Sequence, residues 1–511
     1  MEYKLSKEKI TVSLAAFNGC KEQPIDIDLT LPDYCPDVRR VLKCKVTPMI
    51  SSKALNGDTL EIDGTVVINV LYTDPDCSCV RCYEHNLPFN TVLNIKNPPS
   101  DCIVFTSTKT EYINCRALTP RRLDLHGAFS ICAKVVTKVE KEIVTGVDGD
   151  DIQQKIKAVP YTSLLGMGQQ LTSISEDTPL TTGKPPVETV IRKDCKICIT
   201  DVKLIPDKAM VKGDVWVKLL YVGDIEKGTT EQFEYSVPFN RIVDISGLDE
   251  DCICYIDPEI NSVAVAFDFE NNNLSSDIKL TLSVLAYKKC ETHCVSDTYS
   301  MKYDMQTATT GIYLPKICAE ISDTLTEKTT LNFSDRQITS IIDLWCDNTP
   351  PLTLETVEGK PVLRGKLPIN MIAVGADDDI FFAERSVDVA FLVNTDSNND
   401  NFASANAEVS TCVAALSYRL NGGDSIDLRA DIKLDGLITE DIITEYVSAA
   451  EANENTPPEK DRAAVVLYYT EKDESLWDIA KKYKTSLKSI AEENELGDKD
   501  RLDKGVLVLP V

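Results

Sequence analysis

The sequence predicts a mainly β protein, built from three tandem β-sandwich-like repeat domains and a small β-α-α-β module at its C-terminal end. A long internal repeat and a strict two-residue alternation of apolar side chains carry that prediction. Asp63-Gly-Thr-Val-Val-Ile-Asn-Val-Leu-Tyr72 recurs as Lys212-Gly-Asp-Val-Trp-Val-Lys-Leu-Leu-Tyr221, and more weakly as Arg364-Gly-Lys-Leu-Pro-Ile-Asn-Met-Ile-Ala373. The glycines of these copies stand 149 and 152 residues apart. Upstream, Cys35-Pro-Asp-Val-Arg-Arg-Val-Leu42 matches Lys184-Pro-Pro-Val-Glu-Thr-Val-Ile191, again 149 residues apart; downstream, Leu87-Pro-Phe-Asn90 answers Val237-Pro-Phe-Asn240. A period this long exceeds any solenoid unit and means whole domains in series.

Within each copy the apolar residues alternate with polar ones, as in half-buried antiparallel strands: Leu123–Val135, Ile278–Ala286 and Ile426–Leu434. Asn56-Gly57, Asn421-Gly-Gly423 and Asp249-Glu250-Asp251 mark turns between strands. These signals place the repeats at 1–150, 151–305 and 306–450, each expected to fold separately. A linker is expected at 451–461, because Glu451–Lys460 holds no apolar residue larger than alanine apart from two prolines. It would tether the module at 462–511 flexibly.

The module opens and closes on strand-like runs, Val465–Thr470 and Val506–Pro510. Between them Leu476, Ile479, Ala480 and Tyr483, then Leu487, Ile490 and Ala491, fall at helical spacing and give each of two short helices one apolar face. Ser475, with Asp478 three residues on, reads as a variant capping box, and Ser486 as the N-cap of the second helix. Trp477, on so short a helix, reads as half core.

This order, with Tyr469, Asp473-Glu-Ser-Leu-Trp-Asp-Ile-Ala-Lys-Lys-Tyr483, Asn494 and Lys504-Gly505, resembles a LysM domain. The resemblance implies a binding module whose usual ligand is the N-acetylglucosamine backbone of peptidoglycan or chitin, held between the loop after the first strand and the loop before the last. The first loop departs from the family pattern: Asp473 stands where the family has glycine, and carboxylates suit a negatively charged polymer poorly. The partner- or glycan-binding residues it implies are Asp473, Glu474, Ser475 and Leu476 from the first loop, with Asn494 and Leu496 from the second. Leu476 and Leu496 are expected to supply apolar contact.

Repeats bearing Pro-Asp-x-x-x-Val-Leu, then Gly with apolar alternation to Leu-Tyr, then x-Pro-Phe, and followed by LysM, resemble the SPOCS domains of spore-coat morphogenetic proteins of the SipL type. That resemblance implies a coat-assembly scaffold in the mother-cell cytoplasm, at the forespore surface and in the spore coat. Its LysM module would bind the coat-basement ATPase SpoIVA, alongside other coat proteins. The third repeat departs most, with Ala373 in place of tyrosine and no Pro-Phe. The alternative from a different class is a peptidoglycan-binding protein of the cortex or wall.

Charge and composition narrow the classes. The 511 residues hold 54 Lys and Arg against 81 Asp and Glu, a net of −27 that opposes nucleic-acid binding. From Arg462 onward nine basic residues nearly balance ten acidic ones, and Lys481, Lys482, Lys484 and Lys488 cluster on the module's helices, a candidate handle for an acidic partner. The start Met1–Lys9 has no apolar stretch of a secretory signal, and no apolar run approaches a membrane span. A cytoplasmic protein is therefore expected, with its 18 cysteines as reduced thiols. Cys77, Cys79, Cys82 and His85 put four metal-donor types within nine residues, yet the matching hairpin of the second repeat, around Glu226–Glu231, has no cysteine. The fold needs no metal, and no cofactor is expected. Three histidines, with no His-Glu-x-x-His, Gly-x-Ser-x-Gly or phosphate loop, offer no catalytic constellation.

Overall fold

The computed structural model describes residues 2–75, 79–224, 228–333, 336–347, 352–395, 402–453, 465–497 and 500–510. In the first repeat the chain runs through β1 (Leu5–Thr30), β2 (Arg40–Asn56), β3 (Thr59–Thr73), β4 (Val80–Asn94), β5 (Cys102–Thr119) and β6 (Arg122–Val147). Two antiparallel sheets result, ordered β1-β6-β5 and β2-β3-β4. Ile25 and Leu29 of β1, Leu60, Ile62, Val66, Ile68 and Val70 of β3, and Leu123, Leu125 and Ile131 of β6 meet between them in one buried core. Each such aliphatic side chain stabilises the sandwich by about 1.5–3 kcal/mol.

The second repeat repeats this plan with β7 (Ile152–Pro179), β8 (Thr189–Ile205), β9 (Lys208–Asp224), β10 (Thr229–Asp244), β11 (Ile253–Asp268) and β12 (Asn273–Ser300). Its sheets are β11-β12-β7 and β10-β9-β8. The third comprises β13 (Asp304–Asn332), β14 (Ile338–Cys346), β15 (Thr353–Val357), β16 (Lys360–Gly375), β17 (Ile380–Leu392), β18 (Asn406–Asn421) and β19 (Ser425–Asn453). Its long sheet is β13-β19-β18; in its short sheet β14 and β15 share one edge of β16, and β17 pairs with β16. The mainly β reading holds, and all three copies share one topology although the third diverges in sequence.

The recurring motifs now have physical causes. Gly64 lies opposite Phe89, and a Cβ on Gly64 would meet the Phe89 ring at 2.4 Å and the Met49 carbonyl at 2.3 Å. Gly213 stands likewise opposite Phe239, with the ring at 2.6 Å and the Cys198 carbonyl at 2.7 Å. The phenylalanine of Pro-Phe thus covers a glycine across the strand pair. In the third repeat Gly365 lies opposite Val389, and Leu352 fills the space instead. The terminal tyrosines also recur for a reason: Tyr72 donates to the Pro36 carbonyl at 3.3 Å and Tyr221 to the Pro185 carbonyl at 3.1 Å. Ala373 has no hydroxyl to do so.

The first and last strands of each repeat are antiparallel neighbours, pairing Leu5 with Val147, Ile152 with Ser300, and Asp304 with Asn453. The three resulting ribbons pack together. Ile10 and Val12, then Val159 and Cys294, then Ile312 and Leu314, one set from each repeat, form a joint core. Leu71, Leu220 and Ile372, each seven residues beyond its repeat's glycine, meet in another with Trp345. Around that second core charges from all three repeats interlock. Arg192 donates to Asp343 at 2.8 and 2.6 Å and lies over the Trp345 ring, Lys218 reaches Asp343 at 3.1 Å, and Lys45 bridges Asp194 and Asp347 at 3.0 Å each. Such buried charges are tolerable only when paired. The three repeats are thus interlocked in the folded chain, and a lone repeat would expose these shared surfaces.

Two further expectations change. Residues 451–453, assigned to the linker at 451–461, are the end of β19 and pair with 304–306; residues 454–464 lie outside the described residues. The thiols are not all free: Cys20 is bonded to Cys132, its direct register partner between β1 and β6, and Cys198 of the second repeat to Cys412 of the third. Redox compartment alone speaks for free thiols; strand register brings the first pair together and packing of the second repeat against the third brings the other, and neither is written in the cysteine spacing. Cys195 packs against the second repeat's core instead of sharing Cys198's side.

Gly213→Ala is expected to cost about 1–3 kcal/mol in denaturant unfolding, since the new methyl presses on both a ring and a carbonyl. Adding Phe239→Ala should cost less than the two single changes combined, which a double-mutant cycle would read as coupling across the strand pair.

Candidate functional site

The C-terminal module consists of β20 (Val465–Thr470), β21 (Glu474–Ser475), α1 (Leu476–Lys482), α2 (Leu487–Glu493), β22 (Arg501–Leu502) and β23 (Gly505–Pro510). The β-α-α-β order is as expected, with a short extra strand pair, β21 with β22, that clips the two loops together. Ser486 caps α2, accepting from the Ser489 amide. Ser475 makes no side-chain cap; its hydroxyl lies 3.4 Å from Asp500 instead, and the Leu476 amide bonds the Asp500 carbonyl at 2.8 Å. Trp477 is buried, as is all the apolar face of α1.

The six loop residues have definite places. Asp473 adopts φ +64°, the left-handed conformation that glycine enters most readily, so this turn is held by a residue that seldom adopts it. Glu474 turns inward: its carboxylate accepts from the Tyr468 hydroxyl at 2.5 Å and the Glu471 amide at 3.0 Å. These two hydrogen bonds hold its carboxyl below the usual carboxylate range. Ser475 is buried, and Leu476, only 2% exposed, belongs to the module's core. The expectation that Leu476 offers apolar contact to a partner is therefore corrected: the helical period that flagged it marks the face turned inward. Leu496 packs partly buried against the same core. Asn494 is stitched to β23, donating to the Val508 carbonyl and accepting from its amide, both at 2.7 Å. The two loops do adjoin, but most of their side-chain chemistry is spent on the fold.

The conspicuous site is instead where the module meets the body. Asp297, near the end of β12, accepts from the Trp477 indole at 2.8 Å and from Lys481 at 2.6 and 2.8 Å. Tyr299, two residues on, packs edge-on against Trp477, with centroids 5.1 Å apart, and donates its hydroxyl to the Thr485 carbonyl at 2.7 Å. Met301 and Met305 extend this apolar contact, Lys484 pairs with Asp304, and Lys155 lies 3.6 Å from Asp500. Burial pushes the Asp297 carboxyl upward, yet the bonds from Lys481 and Trp477 outweigh it and hold its pKa below the ordinary value. The lysine cluster expected to meet an acidic partner thus finds two of its acids, Asp297 and Asp304, in the repeats of this same chain. Lys482 lies over the Tyr468 and Tyr483 rings, and Lys488 pairs with Glu492. The module is docked, not flexibly tethered. Asp297 and Tyr299 escaped the sequence reading because only the lysines carried a signal.

No group of metal-ligating side chains occurs among the described residues. Cys77 lies outside them. His85 shares its face of β4 with Tyr83, while Cys82, three residues before it, faces the other way, toward Asn69. Among the described residues no helix is long and apolar enough to cross a membrane.

Comparison with known families matches this architecture. Residues 37–118 and 186–268 match the SipL, SPOCS domain family, and residues 468–505 match the LysM domain. The first segment covers β2 to all but the last residue of β5 and the second the whole of β8 to β11, the equivalent portions of two repeats; the third repeat shares their topology outside the matched segments. No curated protein and no solved structure matches the chain.

The docking contact carries its own pH signature. A depressed carboxyl contributes fully above its unfolded pKa of about 3.8 and loses that contribution as pH falls through the folded value. Hydrogen exchange in Leu476–Lys482 should accordingly rise on acidification below that pH, and at neutral pH in Asp297→Ala, which is expected to weaken docking by about 1–2 kcal/mol. Unchanged exchange in Asp297→Ala would show that the aromatic contact alone holds the module.

Proposed function

Since this chain joins two SPOCS domains of the SipL family to a LysM domain, we propose that it is a non-enzymatic scaffold of spore-coat assembly. In this reading it works at the forespore surface, and its LysM module recruits it to the coat-basement ATPase SpoIVA and other coat proteins. Both kinds of domain are binding modules and fit a sporulation coat protein with a peptidoglycan-type binding domain. The observation that favours protein recognition is the fixed mounting of the module through Asp297, Tyr299 and Asp304 on an interlocked body. A recognition element held in one orientation loses little freedom on engaging a partner, which preserves affinity. The first loop adds support, because a left-handed aspartate and an inward-bonded glutamate replace the open glycine turn that a sugar would approach.

Peptidoglycan binding remains the second reading, supported by the LysM match itself. The test compares the full chain with one ending at residue 453. The full chain should co-purify with SpoIVA and the shortened one should not, while neither sediments with purified peptidoglycan more than a control protein does. Sedimentation of the full chain alone with peptidoglycan, without SpoIVA capture, would establish the second reading instead.

A further inference from the structure

The docked module turns one face of its sheet to solvent, and that face is apolar. Along β20 the residues Val465, Leu467 and Tyr469 are 54%, 60% and 74% exposed, and Val506 of β23 is 51% exposed. Register makes them one surface: Val465 lies opposite Pro510, Leu467 opposite Val508, and Tyr469 opposite Val506. The intervening residues Val466, Tyr468, Leu507 and Leu509 face the module's core, so the alternation cannot be satisfied by turning the strand over. No comparable cluster of exposed apolar side chains occurs elsewhere in the module among the described residues. A contiguous patch of this kind is the usual mark of an interaction site.

Backbone as well as side chains is available there. β20 pairs with β23 and, among the described residues, with no other strand, whereas β23's far side is met by the Asn494 amide and by Thr485, which donates to the Pro510 carbonyl at 2.6 Å. One edge is capped by side chains, and among the described residues no strand lies along the other.

We infer that this face and the free edge of β20 form the protein-docking surface of the module, and that its occupant is an extended strand of the partner with apolar side chains at alternate positions. The inference rests on the reading that the module binds a protein. A strand fits for two reasons. The patch, three cross-strand pairs, is well short of the roughly 800 Å² per partner that stable interfaces bury, so main-chain hydrogen bonds must supply part of the affinity. Alternate apolar side chains on an added strand would also continue the face that Val465, Leu467 and Tyr469 begin. A second copy of the chain fits poorly, since each carries a net charge of −27 and would repel the other.

The experiment uses the full chain, its Leu467→Glu and Tyr469→Ser variants, and purified SpoIVA as the probe, with circular dichroism confirming the fold of each variant. Both changes lie on exposed positions, so folding should persist. Binding by each variant is expected to fall at least tenfold, and the amides of Val465–Thr470 should exchange more slowly in the wild-type complex than in the free chain. Folded variants that bind like wild type would overturn the assignment of this face while leaving the module's role intact, provided the chain ending at 453 still fails to bind. If that shortened chain binds as well, the module reading itself falls. Weakened variants without slowed exchange in β20 would overturn the strand as occupant.

Discussion

Pairing of the first strand of each repeat with its last is the constraint on which the rest of this structure depends. At its outer end each pairing joins residues more than 140 positions apart, as Leu5 with Val147 shows. It returns the chain to its point of entry, so the next repeat starts beside the previous one after a connection of a few residues. Three long ribbons therefore lie side by side, and their outer apolar residues, Ile10, Val159 and Ile312 among them, bury against each other. Closing such distant contacts costs chain entropy before it returns contact energy, which makes a topology of this kind slow to form but cooperative once formed.

The same constraint sets the position of the C-terminal module. β12 ends at Ser300 and β19 at Asn453, and both ends lie at one pole of the ribbons, where Tyr3 donates to Asp151 at 2.7 Å and the Tyr3 amide to the Ala450 carbonyl at 3.0 Å. Asp297 and Tyr299 are thereby presented to α1. An acidic body and a nearly neutral module with basic helices are complementary over this contact, and the ion pairs are reinforced by an indole and a tyrosine that exclude water from part of it. The contact occupies the α1 side of the module and leaves the outer face of its sheet free.

Divergence within the repeats is accommodated by substitution of one filler for another. Where the first two copies cover a glycine with phenylalanine from the following strand, the third uses Leu352 from the preceding segment. Where they tie a tyrosine hydroxyl to a proline carbonyl, the third has Ala373, buried among apolar neighbours. Short-range packing solutions vary while strand order persists, because the order is held by long ribbons that tolerate local change.

The amino-acid sequence by itself determined the mainly β class, the three copies and the two-helix module, since these follow from local periodicity: two residues for strands, three to four for helices. It also exposed Asp473 as an irregularity, and the left-handed backbone there shows why. What a local pattern cannot contain is which apolar face meets what. Leu476 carried the right period for a contact residue, yet that period describes an inward face equally well, and only the folded module decided between them. Likewise Cys198 and Cys412 are 214 positions apart, and Lys481 of α1 gave no clue that its acid, Asp297, lies in β12. Such pairings depend on how distant strands register and how repeats stack, and tertiary structure alone supplies that information.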